Sequence, residues 1–181
     1  LEVGGEEQPA PENKNWIQEK REFYAKYAQE ADVVFKNDEQ KDTEEKSFTF
    51  SLEKNGKTLG EMKYTSPNSV QISKESELVM YQGLVQDALK NDLSISFGAS
   101  LDNKQKALLL AAVLMSDKKT YANGDGIELK NAPQIDMNAE YFKSLPENVQ
   151  AVLKDHVEKQ AQQKQAEEQA QKAAEEQAPN A

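Results

Sequence analysis

His156 is the only histidine among 181 residues, and there is no cysteine. A serine nucleophile would therefore have a single imidazole to serve as its base, and no serine sits in a Gly-x-Ser-x-Gly elbow. His156 falls on a predicted helix near a polar tail, with Asp155 beside it in sequence, and adjacent residues do not face one another on a helix. It reads as a solvated side chain. The lack of cysteine removes thiolate nucleophiles, disulfides and Cys-type zinc or iron–sulfur sites. The acidic pairs Glu44-Glu45, Glu167-Glu168 and Glu175-Glu176 lie in charge-rich segments, without the apolar surroundings that hold one carboxyl protonated while its neighbour ionises. They read as solubilising charge.

Binding chemistry has more candidates. Asn123-Gly124-Asp125-Gly126 matches part of a calcium loop, but Tyr121 stands where the first carboxylate belongs and Ala132 where the bidentate Glu belongs, so a tight turn is the better reading. The turn Phe97-Gly98-Ala99-Ser100-Leu101-Asp102 leads from a predicted strand into a predicted helix, and the free N–H groups of a helix start attract phosphate. Ser100 adds a hydroxyl there, and Lys104 or Lys106 a charge. Against an anion site, the stretch lacks both phosphate-loop glycine patterns, and Asp102 as cap repels an anion. Tyr64, Tyr81 and Tyr121 are expected to stack on a planar ring if exposed, and to be core residues if not.

The totals restrict the partner. A net charge of −10 argues against an extended basic surface for nucleic acid. The longest apolar run, Ala107 to Met115, is nine residues, too short to span a bilayer. The chain opens on Leu1 rather than Met, as a processed or excised piece would, so location is not read from its start.

The elements follow from periodicity. Leu1 to Lys14, with Gly, Pro and Glu and no period, reads as a disordered linker. Asn15 is a candidate cap for an amphipathic helix from Trp16 to Phe35, with Trp16, Phe23, Tyr27, Ala31 and Val34 at helical spacing and Tyr24 and Phe35 beside them. Lys36 to Lys46 reads as a solvated loop. Phe48, Phe50 and Leu52 alternate, and after Lys54-Asn55-Gly56-Lys57 so do Gly60, Met62 and Tyr64, which predicts a β-hairpin. A two-residue Asn-Gly turn would set Phe50 opposite Glu61, whereas a three-residue loop with Gly56 left-handed sets Phe48 opposite Met62. The bulged loop is therefore expected.

Val70 to Ile72 is a third short strand. A helix capped by Ser73 runs from Glu75 to Lys90 with Leu78, Tyr81, Leu84, Val85 and Ala88 inward. Leu93, Ile95 and Phe97 alternate as a strand, and Asp102 with Gln105 forms a capping box for a helix over Asn103 to Met115, the most buried element expected. Thr120-Tyr121 and Ile127-Glu128-Leu129 suggest a second hairpin. Asp136 to Leu145 is a short helix, and Pro146 opens another whose stripe is Val149, Val152, Leu153 and Val157. The result is an α+β fold, a small mainly antiparallel sheet against several helices. A single domain over residues 15–158 lies between the linker 1–14 and a low-complexity Gln/Ala/Glu tail, 159–181, that is disordered or helical.

The stretches DLSISFG, DNKQKALLLAAVLM and YANGDGIELKNAPQID, within Asp92 to Asp136, resemble the small KLAMP-type modules of Legionella type IV secreted effectors. The resemblance covers about a quarter of the chain. It implies noncatalytic binding of an adenine nucleotide with tyrosines stacked on the base, for which Tyr64 and Tyr81, with Ser100 and Lys104 at the helix start, are the candidate contacts. It also implies secretion into a host cytosol, with the Glu-rich stretch Glu167 to Glu176 as part of a secretion signal. The alternatives are a protein-interaction module for a host or bacterial partner, docking on the sheet or the N-terminal aromatic helix, and an enzyme of unfamiliar type.

Overall fold

The computed structural model describes residues 1–13, 15–121 and 126–177. It divides into two units, Leu1–Gln134 and Ile135–Ala181, where a single domain over 15–158 is the sequence expectation. The first unit contains a mixed seven-stranded sheet, and the elements of the second, among the described residues, are helices. The class is α+β.

The first strand is the largest departure from expectation. Leu1 to Lys14 is not all linker, because Glu2–Val3 forms β1 at the centre of the parallel half of the sheet, between β5 (Ser69–Ile72) and β6 (Ile95–Phe97). Its backbone is bonded on both sides. Glu2 N donates to Asn68 O at 2.8 Å and Gly4 N to Val70 O at 2.9 Å, while Leu1 O and Val3 O accept from Ser96 N and Gly98 N at 2.9 and 2.8 Å. Val3 is fully buried. A two-residue strand among Gly and Glu has no alternation to detect, and ladder bonds from both neighbours hold it instead.

Helix α1 (Asn15–Glu30) stops earlier than the periodicity implies. Asp32 takes a left-handed backbone at φ 57°, and Val34 and Phe35 turn into β2 (Val34–Asn37), the edge strand. The stretch read as a loop contains α2 (Glu39–Glu45), capped by Asp38, which accepts from Lys41 N. β3 (Phe48–Lys54) and β4 (Lys57–Ser66) form the expected hairpin, but by another route. The turn is the two-residue Asn55-Gly56, both at positive φ, and the extra residue sits in β4 at Leu59, where the register steps from Glu53 opposite Thr58 to Leu52 opposite Gly60. Phe50 faces Met62 and Phe48 faces Tyr64. A bulge in the strand keeps the tight turn and still puts both apolar rows on one face.

Gly60 lies at the bulge with φ 154°, and a Cβ there would come within 2.7 Å of Met80 Cγ and 2.8 Å of Ser76 Cβ. Only glycine lets β4 approach α3 (Leu78–Lys90) this closely. The strand-helix-strand unit β5-α3-β6 runs parallel, with β1 between its strands. α4 (Asn103–Leu114) begins at the expected capping box of Asp102 and Gln105 and is buried nearly all round. Thr120 and Ile127 meet in a single parallel bridge and β7 (Leu129–Lys130) pairs parallel with β6, so no antiparallel second hairpin is formed by the described residues. Its turn, 122–125, lies outside them, and with it positions 123–125 of the partial calcium loop.

In the second unit α5 is a single turn, Glu140–Lys143, and α6 runs from Glu147 to Glu176. Val149 and Leu153 are its buried residues, and from Glu158 onward every described side chain is exposed. The tail is a helix on its own propensity, Ala, Glu, Gln and Lys being good helix formers.

Candidate functional site

Of the side chains expected to bind a nucleotide, both tyrosines are sealed in the core. Tyr64 and Tyr81 are fully buried, so neither presents a face to a ligand. Both lie on elements that pack inward, Tyr64 toward α1 and Tyr81 on the inner face of α3. Ser100 Oγ donates to Gly4 O at 2.6 Å, and Lys104 is exposed, whereas Tyr81, close to Asp102 and Gln105 at the same helix start, is sealed. The turn after β6 is filled by the chain leaving β1, which presses the Gly4 backbone against Gly98. Gln105 N and Asp102 N are spent on the capping box at 2.8 and 3.0 Å. An anion would meet a carboxylate and an occupied turn.

His156 is half-buried in the second unit, and burial pulls its pKa below the ordinary histidine value. Among the described residues no group of three or more His, Cys, Asp or Glu side chains is placed to hold a metal.

What the fold does assemble is a buried polar network between α1, β4 and α3. Lys20 on α1, 6% exposed, reaches Asp87 on α3, 1% exposed, with Nζ at 2.8 Å from each carboxylate oxygen. Asp87 Oδ2 also accepts from the Tyr64 hydroxyl at 2.7 Å, and Oδ1 from Asn91 Nδ2 at 2.9 Å. Tyr24 completes the chain by donating to the Tyr64 hydroxyl. The Lys20 ammonium lies 4.8 Å from the centre of the Tyr64 ring. Each acceptor position of the carboxylate is therefore used, which is the condition under which a buried ion pair is tolerated.

Around it the rings of Tyr24 and Phe50 approach to 4.3 Å, with Phe48 and Phe35 behind. A second network ties α1 to α2 and the sheet. Arg21 Nη2 and Asn37 Nδ2 both donate to Asp42 Oδ2, at 2.9 and 2.7 Å, and Thr49 N donates to Oδ1.

Burial raises the phenol pKa of Tyr24 and Tyr64 well above the usual value and that of Tyr27 to about 12. A folded-state pKa above the unfolded 10.0 means that folding retains protons. Stability from these groups is then complete below pH 10 and falls as the pH rises toward 12 and beyond. We expect alkaline titration of phenolate absorbance to show these tyrosines ionising together with loss of the circular dichroism of the fold. Ionisation of all tyrosines at pH 10 with the fold intact would contradict this burial.

Over the network lies an open groove of about 1400 Å³ between α1, α3 and the end of α4. Its aromatic side is Trp16, Phe23 and Tyr27 from α1, and Leu89, Leu93 and Met115 also line it. Phe23 and Tyr27 are half-buried, and Tyr27 is fastened by its hydroxyl to Val79 O at 2.6 Å. Gly83 allows this close packing, since a Cβ there would stand 2.9 Å from Tyr27 Cε1. Lys20 and Asp87 reach the groove wall from beneath.

The sequence carries a signal for the network that periodicity alone passes over. Lys20 interrupts the stripe Trp16, Tyr24, Ala28 at its own spacing, and Asp87 interrupts Leu84, Val85, Ala88, and a charge on an apolar face calls for a buried counter-charge. Nothing local says that the two faces meet. Comparison with family models, with curated proteins and with solved structures finds no match to this chain.

Proposed function

We propose that this protein is a noncatalytic binding module that seats a segment of a partner protein in the groove between α1, α3 and the end of α4. The observation that carries the reading is the groove itself, where Phe23, Tyr27, Leu89, Leu93 and Met115, all partly buried, keep part of their surface along one open channel above the buried Trp16. Its lining is held by a saturated ion-pair network. Preorganised apolar side chains with a polar rim are what recognition sites spend least entropy to use. The charged groups nearest the groove floor favour binding over chemistry, because the Asp87 carboxylate and the Lys20 ammonium are committed to each other. In the effector setting that the resemblance to KLAMP modules implies, the partner is a host or bacterial protein.

The test is selection of a displayed random-peptide library on the protein, followed by calorimetry of the selected peptides with wild type and with Phe23→Ala. Truncating a central aromatic anchor costs roughly 2 kcal/mol or more, so affinity should fall at least about thirtyfold. Selected peptides that bind Phe23→Ala as well as wild type would overturn the groove. Saturable heat with ATP that Lys104→Ala abolishes would instead support a nucleotide at the α4 turn.

A further inference from the structure

The groove is electrostatically lopsided, and from this we infer the chemistry of its occupant: an amphipathic helix whose apolar stripe is bordered by basic residues on the side that faces α1. The inference rests on the groove being a protein-binding site and goes further in naming what fits it. Along α1 the rim carries Glu19, Glu22, Lys26 and Glu30, three acids against one base. Along α3 it carries Gln82, Gln86 and Lys90, without an acid among the exposed side chains, and the end of α4 adds Asp117 and Lys118, which cancel. Among the described residues, Glu19, Glu22 and Glu30 make no ion pair. All three are exposed, whereas the one rim ammonium nearest the aromatic floor, that of Lys90, is held 5.3 Å over the Phe23 ring. One wall thus carries three acids against the single base Lys26, and the other carries amides with the base Lys90 and no exposed acid. An occupant with cations toward the first wall gains attraction that the same occupant reversed would lose.

The walls also decide the conformation of what binds. An extended peptide satisfies its backbone on the free edge of a sheet, but here both long walls are helices whose own N–H and C=O groups are bonded internally. Only an occupant that has closed its own hydrogen bonds loses nothing on entering, and a helix does so. The lining residues of α1 from Glu19 to Glu30 cover about 16 Å at the helical rise, a match to three turns of a partner helix.

Two helix-stapled peptides of about 14 residues separate the possibilities, identical in their Leu/Phe stripe and differing only in Lys or Glu along one border. Binding is read by fluorescence anisotropy at roughly 0.05 M and 0.5 M NaCl. The Lys peptide should bind at least about tenfold more tightly than the Glu peptide at low salt, with the gap closing at high salt. Glu19→Gln/Glu22→Gln/Glu30→Gln should erase the preference without weakening the Glu peptide, and Phe23→Ala should weaken both. Equal binding of the two peptides, or a preference that survives the triple substitution, overturns the inferred charge pattern while leaving the groove as a binding site. A Lys preference indifferent to Phe23→Ala also overturns it, because the net charge of −10 then attracts the peptide without the groove. If neither helix binds, yet library peptides bind in a way that Phe23→Ala destroys, the helical occupant is wrong and the binding function stands. Failure of both sets of peptides removes the function with it.

Discussion

Asp87→Ala should destabilise the first unit by about 3 to 5 kcal/mol, since removing one partner of a buried ion pair leaves the other charge uncompensated. The stranded group is the Lys20 ammonium, 6% exposed, which loses both of its 2.8 Å contacts. The Tyr64 hydroxyl and Asn91 amide lose an acceptor in the same step. Lys20→Met should cost less, because the Asp87 carboxylate keeps two donors. The pair Lys20→Met/Asp87→Leu should recover much of the loss, since apolar residues of similar volume demand no desolvation of charge. Urea denaturation followed by Trp16 fluorescence measures all three, and Trp16, on α1, is the sole tryptophan. A loss below about 1 kcal/mol for Asp87→Ala would mean that the ammonium finds water, and that the network is a surface pair of ordinary worth.

The larger effect is expected at the other end of the first unit's sequence. Val3→Asp should abolish its cooperative unfolding transition, because it buries a carboxylate with no counter-charge at a fully buried position between β5 and β6. Val3→Ala, which removes only two methyl groups, should cost roughly 2 to 3 kcal/mol and keep the transition. Deleting residues 1–4 should be as damaging as Val3→Asp, since Asn68 O and Val70 O lose their donors and Ser96 N and Gly98 N their acceptors. Circular dichroism melts of the four proteins rank the effects. If the deleted chain melts like wild type, the central placement of β1 is refuted.

Much of the fold was legible where a period was long enough to read. α3 and α4 show their inner faces in sequence, and the Asp102–Gln105 box marks the start of α4 to the residue, whereas the stripe read on α1, Phe23, Tyr27 and Ala31, is the half-buried one and Ile17, Lys20, Tyr24 and Ala28 turn inward beside Trp16. The β3–β4 hairpin was legible as an element and not as a register. The sequence shows that Phe48, Phe50 and Leu52 share a face with Gly60, Met62 and Tyr64, yet two geometries satisfy that and the strand bulge at Leu59 is the one formed. Val34 and Phe35 continue the spacing of α1 and nonetheless become β2, because pairing with β3 competes with helix extension once Asp32 turns the chain. The tyrosines were ambiguous for a different cause. A ring at the end of a strand can be a stacking platform or core, and only the helix laid over it decides.

The sequence by itself determined the class, the limits on chemistry and the amphipathic elements, because composition and periodicity are local properties that a single segment carries. It also held the charged residues on apolar faces, Lys20 and Asp87, that demanded partners. Only the tertiary structure decided that these two partner each other across 67 positions, that Glu2–Val3 enters the sheet between strands distant in the chain, and that Phe23 and Tyr27 line a groove while Tyr64 and Tyr81 are sealed. The physical reason is the same in each case: burial and pairing are settled by what arrives from elsewhere in the chain, and no window along the sequence contains both sides of such a contact.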